Sequence, residues 1–114
     1  MNIEDVRQYA LQMQGVTENL FAKEWISFRI EGKWFMLMQL DAPEARVAVK
    51  LPPDEAQELR DRYDGIRPAY HMNKTYWSDL YLDWLEEELI KKLIKCSYDI
   101  VVSKLPKKLR EIYS

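Results

Sequence analysis

Apolar residues recur along the chain with periods that change from segment to segment, and each period predicts a different element. Helical spacing at positions 3, 6, 10 and 13 predicts a first helix over residues 3–13, with Asn2 as its N-cap. Alternation of apolar and polar residues predicts strands over 25–30, 33–40 and 46–51, and again over 66–72 and 76–82. Helical spacing returns over 53–63 and 85–103, and Pro106 opens a short terminal helix. The predicted order, α-βββ-α-ββ-α, defines an α+β domain with a single antiparallel sheet and helices packed on it.

The predicted strand 33–40 is apolar on both faces. Its alternation places Trp34, Met36, Met38 and Leu40 on one face and Phe35 and Leu37 on the other. A sheet with one face in water does not need a second apolar face. We therefore expect the second face to be covered by a helix, a partner chain or a ligand, and homodimerisation through strand 33–40 is one hypothesis for the protein.

Length and composition place the chain among ordinary globular proteins. Its 114 residues predict one domain, spanning residues 1–114, with 47% apolar and 32% charged residues. The longest uninterrupted apolar run is Trp34 to Met38, so no membrane segment is predicted. The first residues lack the basic start and apolar run of a signal peptide, and a single cysteine permits no internal disulfide. The expected location is the cytoplasm.

Charge is distributed unevenly. The net charge is −2, which gives no overall attraction to nucleic acid. Residues 91–110, however, contain seven Lys or Arg and one acid, a local excess of +6, which leaves −8 for the rest of the chain. This asymmetry fits a basic footprint on an acidic protein, and it also fits the solvated face of a helix.

The sequence does not predict a catalytic set. Nucleophilic catalysis needs a base beside the nucleophile, and His71 is the only histidine. One histidine and one cysteine cannot form a zinc shell, so no metal and no cofactor are predicted, and the protein is not expected to be an enzyme. Cys96 is expected to be an inert small residue. Ser97 projects from the apolar stripe of the last helix, where the carbonyl of Leu93 is the expected partner of its hydroxyl.

The segment 73–77 carries the side chains with the most binding chemistry. Asn73 can read an amide or a base edge, and Lys74 can bind phosphate. Tyr76 and Trp77 offer faces for stacking. The same residue types also make an ordinary hairpin turn with aromatic anchors, so both interpretations remain open.

Several motifs in fixed order resemble those of the MmcQ/YjbR family. They are Gly-Val-Thr-Glu at 15–18, Gly-Lys-Trp-Phe at 32–35, Tyr-His-Met-Asn-Lys at 70–74 with Trp77, Leu-Asp at 82–83, Ser-Tyr-Asp at 97–99 and Leu-Pro-Lys-Lys-Leu-Arg at 105–110. The resemblance covers nearly the whole chain. Tyr76 departs from it, because the family often has a second histidine there, and Trp84 stands where a glycine often follows Leu-Asp.

The resemblance implies a CyaY-like (frataxin-like) fold and DNA binding by a "double wing" of two hairpins, here residues 25–40 and 66–82. In the leading hypothesis, Tyr76 or Trp77 contacts bases. The residues expected at the phosphate backbone are His71, Asn73, Lys74, Lys104, Lys107, Lys108 and Arg110. Low net basicity predicts weak, salt-sensitive binding. Besides the homodimer, a small-ligand site lined by Trp34, Tyr70, His71 and Trp77 is the other hypothesis.

Overall fold

The computed structural model describes residues 1–70 and 72–113, so the predictions made for His71 lie outside the described residues. Its helices are α1 (Ile3–Leu11), α2 (Pro53–Arg62), α3 (Glu87–Ser103) and α4 (Lys107–Ile112), with a 3-10 turn at Leu82–Trp84 before α3. Its strands are β1 (Val16–Ala22), β2 (Trp25–Ile30), β3 (Lys33–Gln39), β4 (Arg46–Lys50), β5 (Ile66–Pro68) and β6 (Trp77–Tyr81).

The strands form one six-stranded sheet in the order β1-β2-β3-β4-β6-β5. Every neighbouring pair is antiparallel. The predicted α+β class with a single antiparallel sheet is confirmed, but the predicted strand order omitted β1. This strand lies at the edge of the sheet, and four consecutive residues from Asn19 to Ala22 are exposed. It therefore lacks the apolar alternation by which a half-buried strand is recognised.

The main core lies between the sheet and the helices, with Phe28, Leu80 and Ile94 among its fully buried side chains. A second, smaller cluster covers the other face of the sheet at β3. Its buried members are Leu37, Ala48, Ala69 and Trp77, and the half-buried Trp25, Trp34 and Met72 pack against them. The second apolar face of β3 is thus covered by aromatic side chains of the sheet itself and by the loop that joins β5 to β6.

A β-bulge in β3 changes which of its side chains face the main core. Phe28 lies opposite Met36, whereas the next residue, Arg29, lies opposite Trp34, which leaves Phe35 as the extra residue. The main core therefore takes Phe35 together with Met36, and Trp34 turns to the second cluster. The prediction that Trp34 and Met36 share a face was wrong, because simple alternation does not survive a bulge.

Ser97 of α3 joins β3 to β4 beside this bulge. Its Oγ donates to the carbonyl of Phe35 at 2.6 Å and accepts from the backbone N–H of Lys50 at 2.8 Å. The carbonyl of Leu93 is therefore not the partner that we expected. The hydroxyl stands in the position of a ladder hydrogen bond, since Met36 and Val49, the next residues along, pair directly.

The second hairpin has shorter strands than its sequence predicted. Pro68 ends β5, as expected for a residue without a backbone N–H, and β6 begins only at Trp77. Asn73 organises the turn between them: its Oδ1 accepts from the N–H of Thr75, and its carbonyl accepts from the N–H groups of Tyr76 and Trp77. This is an Asx-type turn, and it is compatible with both the structural and the binding interpretation of the 73–77 segment.

Candidate functional site

One end of the sheet gathers the loops that the two predicted wings contribute. In the antiparallel registers, Met36 near the start of β3 pairs with Val49, and Lys50 at the end of β4 pairs with Trp77 at the start of β6. The β2–β3 turn at residues 31–32 and the loop at residues 69–76 therefore lie at the same end. The wings predicted over 25–40 and 66–82 are hairpins whose tips point in one direction.

A half-open groove of about 410 Å³ lies at this end of the sheet. Three segments line it: the end of β4 and the start of α2, the loop before β6, and the last turn of α3. The lining residues are Lys50, Leu51, Pro52, Pro53, Asn73, Tyr76, Trp77, Ile100, Ser103 and Lys104. Predicted site residues from two distant parts of the sequence, 73–77 and 104, thus meet in one groove.

The groove concentrates positive charge. The Nζ of Lys50 lies 5.4 Å from the ring centroid of Trp77, and the Nζ of Lys104 lies 5.9 Å from that of Tyr76. Burial, with the ammonium groups of Lys104 and Lys33, lowers the pKa of Lys50. Among residues 1–70 and 72–113, no carboxylate forms an ion pair with Lys50 or Lys104. The groove is therefore suited to an anion.

The two aromatic residues predicted to contact bases have different exposures. Trp77 is only 6% exposed, because most of its ring belongs to the cluster on the second face of the sheet. Tyr76 is 47% exposed. Of the two, Tyr76 has a ring face to offer a stacked ligand, whereas little of Trp77 is exposed in the groove.

Arg60 of α2 anchors the loop before β6 to that helix. Its guanidinium donates to the carbonyl of Lys74 at 2.7 Å, to the carbonyl of Trp77 at 3.0 Å and to the Oγ of the buried Ser78 at 2.8 Å. Charge-assisted bonds of this kind are stronger than neutral ones. The groove wall formed by Tyr76 is therefore fixed to a helix as well as to the sheet.

Lys74 lies on the same loop but does not line the groove. Its Nζ sits 4.8 Å from the ring centroid of Tyr70, which is 69% exposed. The predicted phosphate contact at Lys74 is thus an exposed charge at the tip of the second wing.

The remaining predicted basic residues, Lys107, Lys108 and Arg110, are exposed on α4 and do not line the groove. Helix α4 is fastened beside the first wing, since the hydroxyl of Tyr113 donates to a carboxylate oxygen of Glu31 at 2.8 Å. These three residues form a second basic surface next to the β2–β3 turn. The structure therefore divides the predicted site into the groove and a separate basic surface formed by these three residues of α4, here called the flank.

Lys50 and Lys33 were missing from the predicted site. Strand alternation placed Lys50 outward, and Pro52-Pro53 marked the end of its strand. What the pattern could not supply was the strand order, which brings this end of β4 beside the loop before β6. Lys33 comes to the same end because the β2–β3 hairpin is folded back on β4.

The polar side chains in the groove are suited to binding. They offer ammonium, amide and hydroxyl groups, and the described residues that line the groove include no carboxylate and no thiol. Within the described part of the chain, no group of three or more His, Cys, Asp or Glu side chains is placed to hold a metal ion. None of the described helices has the length and apolar character needed to cross a membrane. Burial raises the pKa of Cys96, which keeps its thiol protonated at neutral pH.

Taken together, these features define an α+β domain with two aligned hairpins and a basic, aromatic-lined groove between the second hairpin and the end of a helix. The chain belongs to the YjbR family, whose model matches residues 11–100.

Relatives from two Escherichia coli strains match over most of their length. The chain is 29% identical over 115 residues to the protein YjbR of strain K12, covering 98% of this chain and 97% of that protein. It is 34% identical over 89 residues to the protein YbdF of strain O157:H7, covering 77% of this chain and 73% of that protein.

Solved structures share the fold. A crystal structure of a Deinococcus radiodurans protein with a DUF419 domain superposes with a TM-score of 0.91 at 25% identity, covering 98% of this chain and 87% of that one. A crystal structure of a Pseudomonas syringae protein gives a TM-score of 0.76 at 25% identity, covering 88% of this chain and 98% of that one.

Proposed function

We propose that the protein is a non-enzymatic, DNA-binding domain that uses the end of the sheet where its two hairpin wings meet. The observation that carries the proposal is the group of lysines at positions 33, 50 and 104. The ammonium groups of Lys104 and Lys33 are close enough to Lys50 to help lower its pKa, and neither Lys50 nor Lys104 has an ion-pair partner among the described residues. Clustered ammonium groups beside an exposed tyrosine match the phosphates and bases of DNA.

The flank on α4 extends the same surface. Lys107, Lys108 and Arg110 lie beside the first wing, and Lys74 lies at the tip of the second. In this proposal they contact phosphates on either side of the groove. The net charge of −2 opposes the approach of DNA, so binding is weak and depends strongly on salt.

Two other hypotheses have less support. Strand β3 is paired on both edges, and the chain's own side chains bury Leu37 on its second face, so neither feature calls for a partner there. The tryptophans of the small-ligand hypothesis line different clefts: Trp34 lies with Phe21 and Trp25, whereas Trp77 lies in the groove with Lys50. The basic groove therefore favours nucleic acid as the ligand.

Fluorescence anisotropy with a labelled DNA duplex at about 50 and 200 mM salt tests the proposal. Contacts from Lys33, Lys50 and Lys104 alone predict that the Kd rises at least about 40-fold over this range, from a slope of about 0.9 per contact, and each phosphate contact outside the groove steepens it further. The double variant Lys33→Ala/Lys104→Ala should lower the slope of log Kd against log salt by about 1.8, the contribution of two contacts. Lys23→Ala is the matched control, since Lys23 lies in the β1–β2 turn at the other end of the sheet.

Two results would contradict the proposal. One is the absence of saturable binding at tens of micromolar protein. The other is a Lys23→Ala variant that weakens binding as much as the double variant, because the effect would then come from net charge and not from this surface.

A further inference from the structure

We propose that the groove between Lys50, Tyr76 and Lys104 is a site for one unpaired nucleotide, with the base on Tyr76 and the 5′-phosphate between the two ammonium groups. The inference rests on the proposed function, since a DNA strand is the expected source of the nucleotide. It goes further by assigning the groove to single-stranded nucleic acid.

The size and shape of the groove favour a single nucleotide. Its volume of about 410 Å³ falls within the range of about 300–1,000 Å³ typical of small-molecule sites. A base inside a duplex has both faces covered by its neighbours in the stack. The exposed face of Tyr76 is therefore accessible only to a base that is unpaired or taken out of the stack.

The phosphate position follows from the two lysines. The ammonium of Lys50 lies 5.4 Å from the ring centroid of Trp77, and that of Lys104 lies 5.9 Å from the ring centroid of Tyr76. Because Tyr76 and Trp77 are adjacent and both line the groove, these contacts bring the two lysines to neighbouring parts of its wall. Like charges placed together are unfavourable until an anion lies between them. A phosphate supplies that charge, and its oxygens accept from both lysines.

The base position follows from the apolar and amide groups around Tyr76. Pro52, Pro53 and Ile100 supply apolar surface to cover a base that stacks on the ring. The Oδ1 of Asn73 is used by the turn, whereas its amide nitrogen makes no hydrogen bond to a described residue and can donate to a base acceptor. The groove thus has separate places for an anionic and an aromatic part of one ligand.

A titration with 2′-deoxyadenosine 5′-monophosphate, followed by amide and indole NMR signals, tests the nucleotide site directly. We expect the indole signal of Trp77 to shift on saturation, whereas that of Trp84, outside the groove, stays in place. Deoxyadenosine and inorganic phosphate, each carrying half of the ligand, should bind at least about 10-fold more weakly. Equal shifts at Trp77 and Trp84, or phosphate that binds as tightly as the nucleotide, would overturn the site.

Matched variants separate the two halves of the site. Lys50→Gln should remove the phosphate contact and Tyr76→Ala the stack, each raising the Kd about 10-fold or more. Lys23→Gln and Tyr70→Ala are the controls, since they remove a lysine and an exposed tyrosine that do not line the groove, and they should stay within about twofold. Lys50→Gln should keep or raise the melting temperature, because it removes a half-buried charge, so lost binding cannot be assigned to misfolding.

Competition by a 5′-phosphorylated 10-nucleotide single strand and by its duplex completes the test. We expect the single strand to displace the mononucleotide at a concentration at least about 10-fold lower than the duplex. If DNA binds, but single strand and duplex bind equally and neither displaces the nucleotide, the groove assignment falls and the proposed function stands. If the nucleotide binds but DNA neither competes with it nor binds in the anisotropy titration, the proposed function falls, and with it the assignment of the groove to a base of a DNA strand.

Discussion

Ser97 is the side chain through which α3 holds β3 and β4 together at the end of the sheet where the groove lies. Its hydroxyl is fully buried and bridges the carbonyl of Phe35 and the N–H of Lys50. Phe35 and Lys50 follow Met36 and Val49 in the pairing of β3 with β4, and there the two backbone groups bond to the hydroxyl instead of to each other. Replacing Ser97 with alanine removes one oxygen and leaves a donor and an acceptor without partners.

The expected cost follows from those two groups. A buried backbone group that loses its partner costs about 1–3 kcal/mol, and at about 1.5 kcal/mol each the two groups give about 3 kcal/mol. Unfolding entropy of about 2.1 cal/mol/K per residue gives about 0.24 kcal/mol/K for this chain of 114 residues. Ser97→Ala should therefore lower the melting temperature by roughly 12 °C.

Urea denaturation followed by tryptophan fluorescence measures this free energy, and differential scanning calorimetry measures the melting temperature. Ser103→Ala is the matched control on the same helix, because the exposed Ser103 hydroxyl donates only to the carbonyl of Ile100. The control should stay within about 0.5 kcal/mol of the parent protein. A Ser97→Ala variant within the same limit would refute the reasoning, since the strands would then close the ladder themselves or admit water.

Three further outcomes are expected. Arg60→Met should lower the free energy of unfolding by about 1–2 kcal/mol and speed amide hydrogen exchange in the 73–77 turn about 10-fold. The reason is that the guanidinium holds that loop by charge-assisted hydrogen bonds. Unchanged exchange would argue against this role. Glu24 has a φ of 66°, so Glu24→Asn should raise stability by about 0.5 kcal/mol in urea titrations, and a loss would contradict strain there. Burial and the bond to Glu31 raise the pKa of Tyr113 to about 12. The folded form thus holds the phenol proton more tightly than the unfolded form. The resulting contribution to the free energy of unfolding is complete below pH about 10 and is lost as pH rises through about 12. Tyr113→Phe should therefore flatten the decline of the urea midpoint over this pH range.

The strands that alternate in sequence were predictable, and the ones shaped by their neighbours were not. In β4, inward Val47 and Val49 and outward Lys50 follow from alternation alone, because successive side chains of a strand point to opposite faces. The burial of Ala48 on the second face depends on the cluster formed with Leu37, Ala69 and Trp77 and was not visible in the pattern. The edge strand β1 has no such pattern, since only one of its sides meets the sheet. The bulge at Phe35 depends on pairing with β2, so no local pattern could place Trp34 on the correct face.

The candidate site was predictable in its residue types and unpredictable in its assembly. The 73–77 loop and Lys104 stood out because they combine aromatic, amide and basic groups. The groove also needs Lys50, which is unremarkable in sequence and becomes part of the site only through the pairing of β4 with β6. Conversely, Trp77 had suitable chemistry but is required in the cluster over β3, and burial takes away the face that a ligand would need.

Some of the residues that identify the family build the fold, and others line the groove. In the Ser-Tyr-Asp motif at 97–99, Ser97 links two strands, and the hydroxyl of Tyr98 donates to the carbonyl of Gln14 at 2.7 Å, which fastens the loop after α1 to α3. These contacts build the fold and do not touch a ligand. The groove takes its charge from Lys50 and Lys104, and Asn73 and Trp77 of the motif at 70–77 also line it. The N–H of Lys50 bonds to Ser97 while its side chain lines the groove, so this residue joins the contacts that build the fold to the groove. The motif thus fixes where the end of β4 lies, and the side chain at that position decides what the groove can bind.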